Sequence, residues 1–306
     1  LVKINKSKNN IYILIIKSIL ITLGGLAFPL LYIFLPAIFL TEAITEGIIK
    51  IMGIFIGLCI LVSILISPIA GILVLNLFGP IVLVYHYMIS NKYEVNTTII
   101  VAAGTFFLSM IMSFYFLGIT PELLKSQDVI SKVIELQREI FNSEQLSEFS
   151  KAFNESEILS YYNRSLQIMP AMMVCVSLII SYLTYVISGR TLLKRGGYIS
   201  QPSSFIFFKV PKEFVIVGVF SLILIYFMQD VFGVGYLILM ENILIVFSLV
   251  LFFAGLSLLQ FFMVKIKANK FSKIIVTVVT FMFPTVQIIL VVIGFVDSIL
   301  NFRKLP

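Results

Sequence analysis

A chain of 306 residues that is 60% hydrophobic, only 12% charged and +1.10 in mean hydropathy is not a soluble globular domain. Apolar runs of about 20 residues recur along it, each able to cross roughly 30 Å of hydrocarbon as a helix. The alternation and turn signals of a membrane β-barrel are missing. The net charge of +7 is read as a positive-inside bias and not as nucleic-acid binding.

Charge distribution fixes the expected topology. Between Glu122 and Arg164 lie eight acidic and five basic residues, net −3, which leaves +10 for the remainder. The predicted fold class is all-α. It is a polytopic transmembrane helical bundle of about eight full spans plus a short N-terminal half-span, with an extracytoplasmic amphipathic helical insertion. Residues 1–118 form an N-terminal transmembrane block, 119–166 the polar extracytoplasmic segment and 167–306 a C-terminal transmembrane block. The location is the bacterial cytoplasmic membrane.

In chain order, the Lys-rich start (Lys3, Lys6, Lys8) and the apolar residues after it read as an uncleaved first span. Residues 11–40 are too long for one crossing and carry the breakers Gly24-Gly25, Pro29 and Pro36, so they predict a span over 11–28 and a short one over 30–40. Lys17 can snorkel to the headgroups. A polar patch at 41–47 follows, then spans near 48–66, 70–88 and 98–118, with Ser67-Pro68 and Gly71 in the first tight turn.

Thr120-Pro121-Glu122 is a helix start, with Thr as N-cap, Pro at the first position and an acid in the first turn. Val129, Ile130, Val133, Leu136 and Ile140 recur at helical spacing opposite charged residues. Ser143 is a candidate cap for a second short helix carrying Leu146, Phe149 and Phe153. Such amphipathic helices lie on a membrane surface or cover a cavity mouth; a plain solvated hairpin fits equally.

Further spans are expected near 167–188, 213–229, 234–264 and 274–299. Arg190, Lys194, Arg195, Lys209 and Lys212 make one basic loop, and Lys265, Lys267, Lys270 and Lys273 another. Both are assigned to the cytoplasm together with the N-terminus. Parity then puts 119–166 outside and requires two crossings within 11–40. For the tail Asn301-Phe302-Arg303-Lys304, a single crossing over 274–299 ends outside and a break at Pro284 returns it inside; both fit the sequence.

No catalytic signature is present: no H-E-x-x-H, nucleophile elbow, P-loop or dinucleotide fingerprint. The single His86 excludes a His-rich metal site, and Cys59 and Cys175 read as small buried hydrophobes. The protein is therefore expected to be no enzyme, without cofactor or metal. Polar residues at membrane depth are the candidate ligand contacts, because burying them is costly unless something pairs with them. Glu241 and Asn242 lead, with Gln260 on the same helix; Asn76, Gln287 and Asp297 are weaker. Equally, Glu241-Asn242 would lie at the interface or lock two helices together. Gly53 and Gly57 form a G-x-x-x-G that Ser63, Ser67 and Gly71 continue at four-residue spacing, for helix packing or subunit docking.

Thr191-Leu192-Leu193-Lys194-Arg195-Gly196-Gly197-Tyr198, Glu241-Asn242 leading to Ala254-Gly255-Leu256-Ser257-Leu258-Leu259-Gln260-Phe261-Phe262, and Gly294-Phe295-Val296-Asp297 with Asn301-Phe302-Arg303-Lys304 resemble the YybS-like family of uncharacterised bacterial membrane proteins. That family is distantly similar to the substrate-binding S subunits of energy-coupling factor importers. The resemblance implies a solute-binding subunit that docks on a transmembrane coupling subunit with ATPases. A short second span fits it, while the span count exceeds the usual six. The alternative is a structural or regulatory membrane protein acting through a membrane partner, without transport. Besides membrane lipid, those are the expected partners.

Overall fold

A computed structural model describes residues 9–141, 155–233 and 235–303. The described residues are helical with connecting turns and contain no strand. We label the main helices α1 (Asn9–Ala27), α2 (Phe34–Glu46), α3 (Ile48–Leu65), α4 (Pro68–Ser90), α5 (Val95–Phe116), α6 (Gln127–Phe141), α7 (Glu155–Lys194), α8 (Lys212–Phe227), α9 (Gly235–Lys265), α10 (Lys270–Met282) and α11 (Pro284–Leu300).

Among the described residues six helical segments are long and apolar enough to cross a membrane, or seven if α10 and α11 count together. The difference from about eight has local causes. The expected short span is a full-length one: a 3-10 turn at Pro29–Ile33 runs directly into α2, giving an 18-residue segment of mean hydropathy 1.4. Pro36 does not stop it, because it sits in the first turn of α2, where backbone N–H groups have no helical partner to lose. Conversely the apolar α1 stretch Ile11–Ala27 and the 16-residue α8 lie at the short end of spanning length. Residues 274–299 are not one helix. Phe283 leaves helical geometry ahead of Pro284, and the two arms diverge by 103°.

The patch at 41–47, expected as a loop, is the end of α2, stopped by Gly47 at φ 98°. The span expected over 167–188 is the 40-residue α7, about 60 Å long. The helix start at Thr120 is present: its hydroxyl accepts from Leu123 N–H at 3.2 Å. On α6, Val129, Ile130 and Val133 are half-buried and Leu136 is exposed. The short helix expected after Ser143 lies outside the described residues.

By contacts the chain forms two compact units that cut across the three sequence blocks. The first contains Leu1–Arg164 and Val176–Gln201. Its core joins Leu35, Phe39 and Leu40 of α2 to Phe55 of α3 and Ile81 and Tyr85 of α4, with Phe39 edge-on to Phe55. Gly71 lets α4 approach α3, because a Cβ there would overlap the Ser63 hydroxyl and the Cys59 carbonyl. Tyr32 folds back over Gly25, where a Cβ would lie 2.7 Å from its ring, and donates to Thr22 O.

The second unit contains Ser165–Cys175 and Pro202–Pro306. Here α10 runs back along α9, with Thr277 beside Gln260 and Phe281 against Phe252 near the middle of α9. Then α11 returns, and Arg303 reaches Ser257 just past its end. Both ends of the bent pair thus lie beside the C-terminal half of α9. Where α11 crosses α9, a Cβ on Gly255 would overlap Leu290 O and one on Gly294 would overlap Leu251 O. Glycine at both positions permits backbone contact between the helices.

Candidate functional site

The three candidate ligand contacts share α9 but do not converge. Nineteen residues, about 28 Å of helix, separate Glu241 from Gln260. Glu241 is half-buried. The Asn242 side chain is occupied: its Oδ1 accepts from Ala171 N–H at 2.8 Å and its Nδ2 donates to Gln167 O and Ile238 O, both at 2.8 Å. Gln167 O and Ala171 N–H are the groups a regular α-turn pairs with each other. They flank Pro170, which lies inside α7 and has no N–H to give to the helix. Asn242 therefore splints the proline site of the neighbouring helix. Gln260 makes one long contact, 3.4 Å to Thr277 Oγ1.

The concentrated polar centre of this unit is Asp297, Arg303 and Ser257, all buried. Arg303 Nε and Nη2 both donate to Asp297 Oδ2, at 3.2 and 2.7 Å. Nη2 also donates to Phe208 O, and Nη1 to Ile206 O and Ser257 Oγ, at 2.7–2.8 Å. All five guanidinium N–H groups are thereby used. Asp297 Oδ1 accepts from Phe302 N–H, and Ser257 Oγ donates to Phe205 O. Asn301, in the left-handed region at φ 50°, turns the chain back so that Arg303 can reach Asp297. From the sequence Asp297 is only a weaker candidate, and Arg303 is a charge of the C-terminal tail. The usable signal was a carboxylate in an apolar helix followed six residues later by a cation, after a helix-ending Asn.

In the first unit Glu42, 4% exposed, pairs with Arg195 at 2.6 Å. Beside it, the buried face of α7 is hydroxylic. Ser188 donates to Ala37 O, Tyr85 donates to Ser181 O, and Ser177 meets the Met110 sulfur. The Ser181 and Thr184 hydroxyls on this face are fully buried and have no partner among the described residues. Asn76 joins α4 to α5 through Ser109 O and Ser113 Oγ.

The small-residue stripe divides. Ser63 faces Gly71 in the α3–α4 contact, and Ser67 caps α4 by accepting from Ala70 N–H. Gly53 and Gly57 point outward, with nothing within 4 Å of an added Cβ and with Ile49, Ile56, Ile60 and Ile64 exposed around them. Arg190, Lys194, Lys265, Lys267 and Lys270 are exposed, whereas Arg195 is engaged by Glu42. Gln287 donates to Phe281 O across the hairpin bend. His86 is half-buried, and both cysteines are buried and free. Among the described residues no cluster of three His, Cys, Asp or Glu could hold a metal. An apolar crevice between α1 and α3, lined by Ile19, Thr22, Leu23, Leu58 and Leu61, includes none of these candidates.

Apolar helices of spanning length, an outward apolar surface and internally neutralised charges describe a multi-pass membrane protein. Residues 13–298 match the family described as predicted membrane protein DUF2232. The chain belongs to that family. No curated protein and no solved structure matches it. For the DUF2232 chain, function must therefore be argued from these residues.

Proposed function

We propose that this DUF2232 protein is a non-catalytic membrane subunit that works by docking, in the plane of the bilayer, onto a helix of another membrane protein. The carrying observation is the outward Gly53/Gly57 face of α3. Glycines four residues apart on a spanning helix allow another helix to approach at backbone distance, and this pair is not used internally. The polar groups at depth support the same reading, since Asn242 and the Asp297–Arg303 centre are taken up in structural bonds. The partner is a regulatory membrane protein or the coupling subunit of an importer.

The proposed orientation keeps the N-terminus and basic loops cytoplasmic and 119–166 extracytoplasmic. The Glu42–Arg195 pair supports it, because α3, α4, α5 and α7 make four crossings between these residues and an even number returns the chain to one side. Arg303 bonded to the 206–208 loop likewise favours a tail on the side of that loop.

A second reading is a solute-binding subunit, YybS-like and related in role to S components. The 103° break between α10 and α11 favours it, since broken helices at membrane depth commonly border solute sites. Mild solubilisation followed by mass spectrometry of copurifying proteins and small molecules decides between them. The docking reading expects a stoichiometric membrane partner that Gly53→Leu/Gly57→Leu removes while the fold persists. Copurified partner retained by that variant would refute it. A stoichiometric metabolite together with coupling ATPases would favour the second reading.

A further inference from the structure

The turn between α9 and α10 carries Lys265, Lys267, Lys270 and Lys273 within nine residues, and none is in an ion pair among the described residues. The described acids of this unit are placed elsewhere. Asp297 is consumed by Arg303, Glu241 is near the opposite end of α9, Asp230 follows the far end of α8, and Glu213 adjoins Lys212. Two of the lysines, Lys270 and Lys273, sit in the first turn of α10. That is the positive end of the helix dipole, where acidic residues are the favourable choice. Asn269 caps the same turn by accepting from Ser272 N–H at 2.7 Å. Lys267 holds a left-handed backbone, φ 55°, that turns the chain between the helices. Four lysines and a helix N-terminus therefore share this turn, and among the described residues no carboxylate pairs with them.

Beyond the lysines, the outer face of α10 is continuously apolar: Phe271, Ile274, Ile275, Val278 and Met282 are all exposed. Because α10 runs from the end of α9 toward its middle, this stripe leads from the membrane surface into the hydrocarbon. A cationic cluster capping an apolar track has the layout of a phospholipid, with an anionic headgroup above and an acyl chain below. From this charge complementarity we infer that the α9–α10 turn and the outer face of α10 bind an anionic phospholipid. Lys267, Lys270 and Lys273 meet its phosphate, and its chain lies along Phe271, Ile274 and Val278. This is independent of the docking role of α3, and its test reads lipid and not protein partners.

The test uses the full chain in nanodiscs of phosphatidylcholine with and without phosphatidylglycerol, read by thermal denaturation and by native mass spectrometry of retained lipid. Phosphatidylglycerol is expected to be retained selectively and to raise the melting temperature. Lys267→Gln/Lys270→Gln/Lys273→Gln is expected to lose that selectivity by about tenfold or more while melting like the parent in phosphatidylcholine. Lys209→Gln/Lys212→Gln is expected to keep it. Three results would overturn the inference: no lipid preference in the parent chain, equal loss in both lysine variants (a diffuse charge effect), or full stabilisation by inorganic phosphate alone (a free-anion site). The parent's own preference remains a test if the triple variant fails to fold.

Discussion

The two units use small and polar residues in opposite ways. In the second, Gly255 and Gly294 meet across a helix crossing, and Asp297, Arg303 and Ser257 satisfy one another and three loop carbonyls. In the first, Gly53 and Gly57 face outward, and the Ser181 and Thr184 hydroxyls are buried without partners among the described residues. The pair spelled as a motif is the one left unpacked, while the pair that packs lies 39 residues apart and spells nothing. A small residue is thus only permission for close approach; what arrives there is decided by the rest of the chain or by another molecule. Capacity for a helix to dock is found on the outer face of the first unit, whereas the glycine pair of the second is already occupied by its own helices.

The largest effects should come from breaking the committed contacts. Gly294→Leu places a side chain into the Leu251 carbonyl, so backbone must move; a loss of about 3 kcal/mol or more is expected, seen as collapsed thermal stability in detergent. Next comes the ion pair. Arg303→Met leaves the buried Asp297 carboxyl without its partner, with an expected cost of about 3–5 kcal/mol, and Asp297→Leu strands Arg303 in the same way. The double variant should cost clearly less than the two singles added, a coupling readable in a thermal double-mutant cycle. Strict additivity would mean that the pair does not form. Gly53→Leu/Gly57→Leu should change intrinsic stability by only about 0.5 kcal/mol while removing a copurifying partner, the reverse of the Gly294 pattern.

Much of the fold was legible because hydropathy and breakers act locally. The limits of α3, α4 and α9, the helix start at Thr120 and the interruption at Pro284 are all set by nearby residues. The errors arose where a distant group changed the local sum. Residues 41–47 look like a loop because Glu42 is costly in an apolar helix, until Arg195, 153 residues away, neutralises it. Asn242 looks like a ligand contact because nothing in its own sequence neighbourhood reveals that it lies beside the turn of α7 that carries Pro170. Arg303 looks like a stray tail charge until Asn301 turns it toward Asp297. Helices can be read from one window of sequence, but the pairing of polar groups requires two.

The smallest predicted effect is also the one whose sign is most informative. A fully buried hydroxyl without a partner keeps its desolvation penalty and gains nothing in return, so Ser181→Ala should be neutral or stabilising by about 1 kcal/mol. Its backbone carbonyl, which accepts from Tyr85 at 2.6 Å, is untouched by the change. Ser257→Ala removes the same oxygen from a place where Arg303 and Phe205 O use it, and should cost about 1–3 kcal/mol. Equal chemistry with opposite signs would establish that the first unit holds unspent polar capacity. If Ser181→Ala is as costly as Ser257→Ala in thermal denaturation, the α7 hydroxyl face is solvated or liganded in the native protein, and the contrast between the units reduces to their glycines.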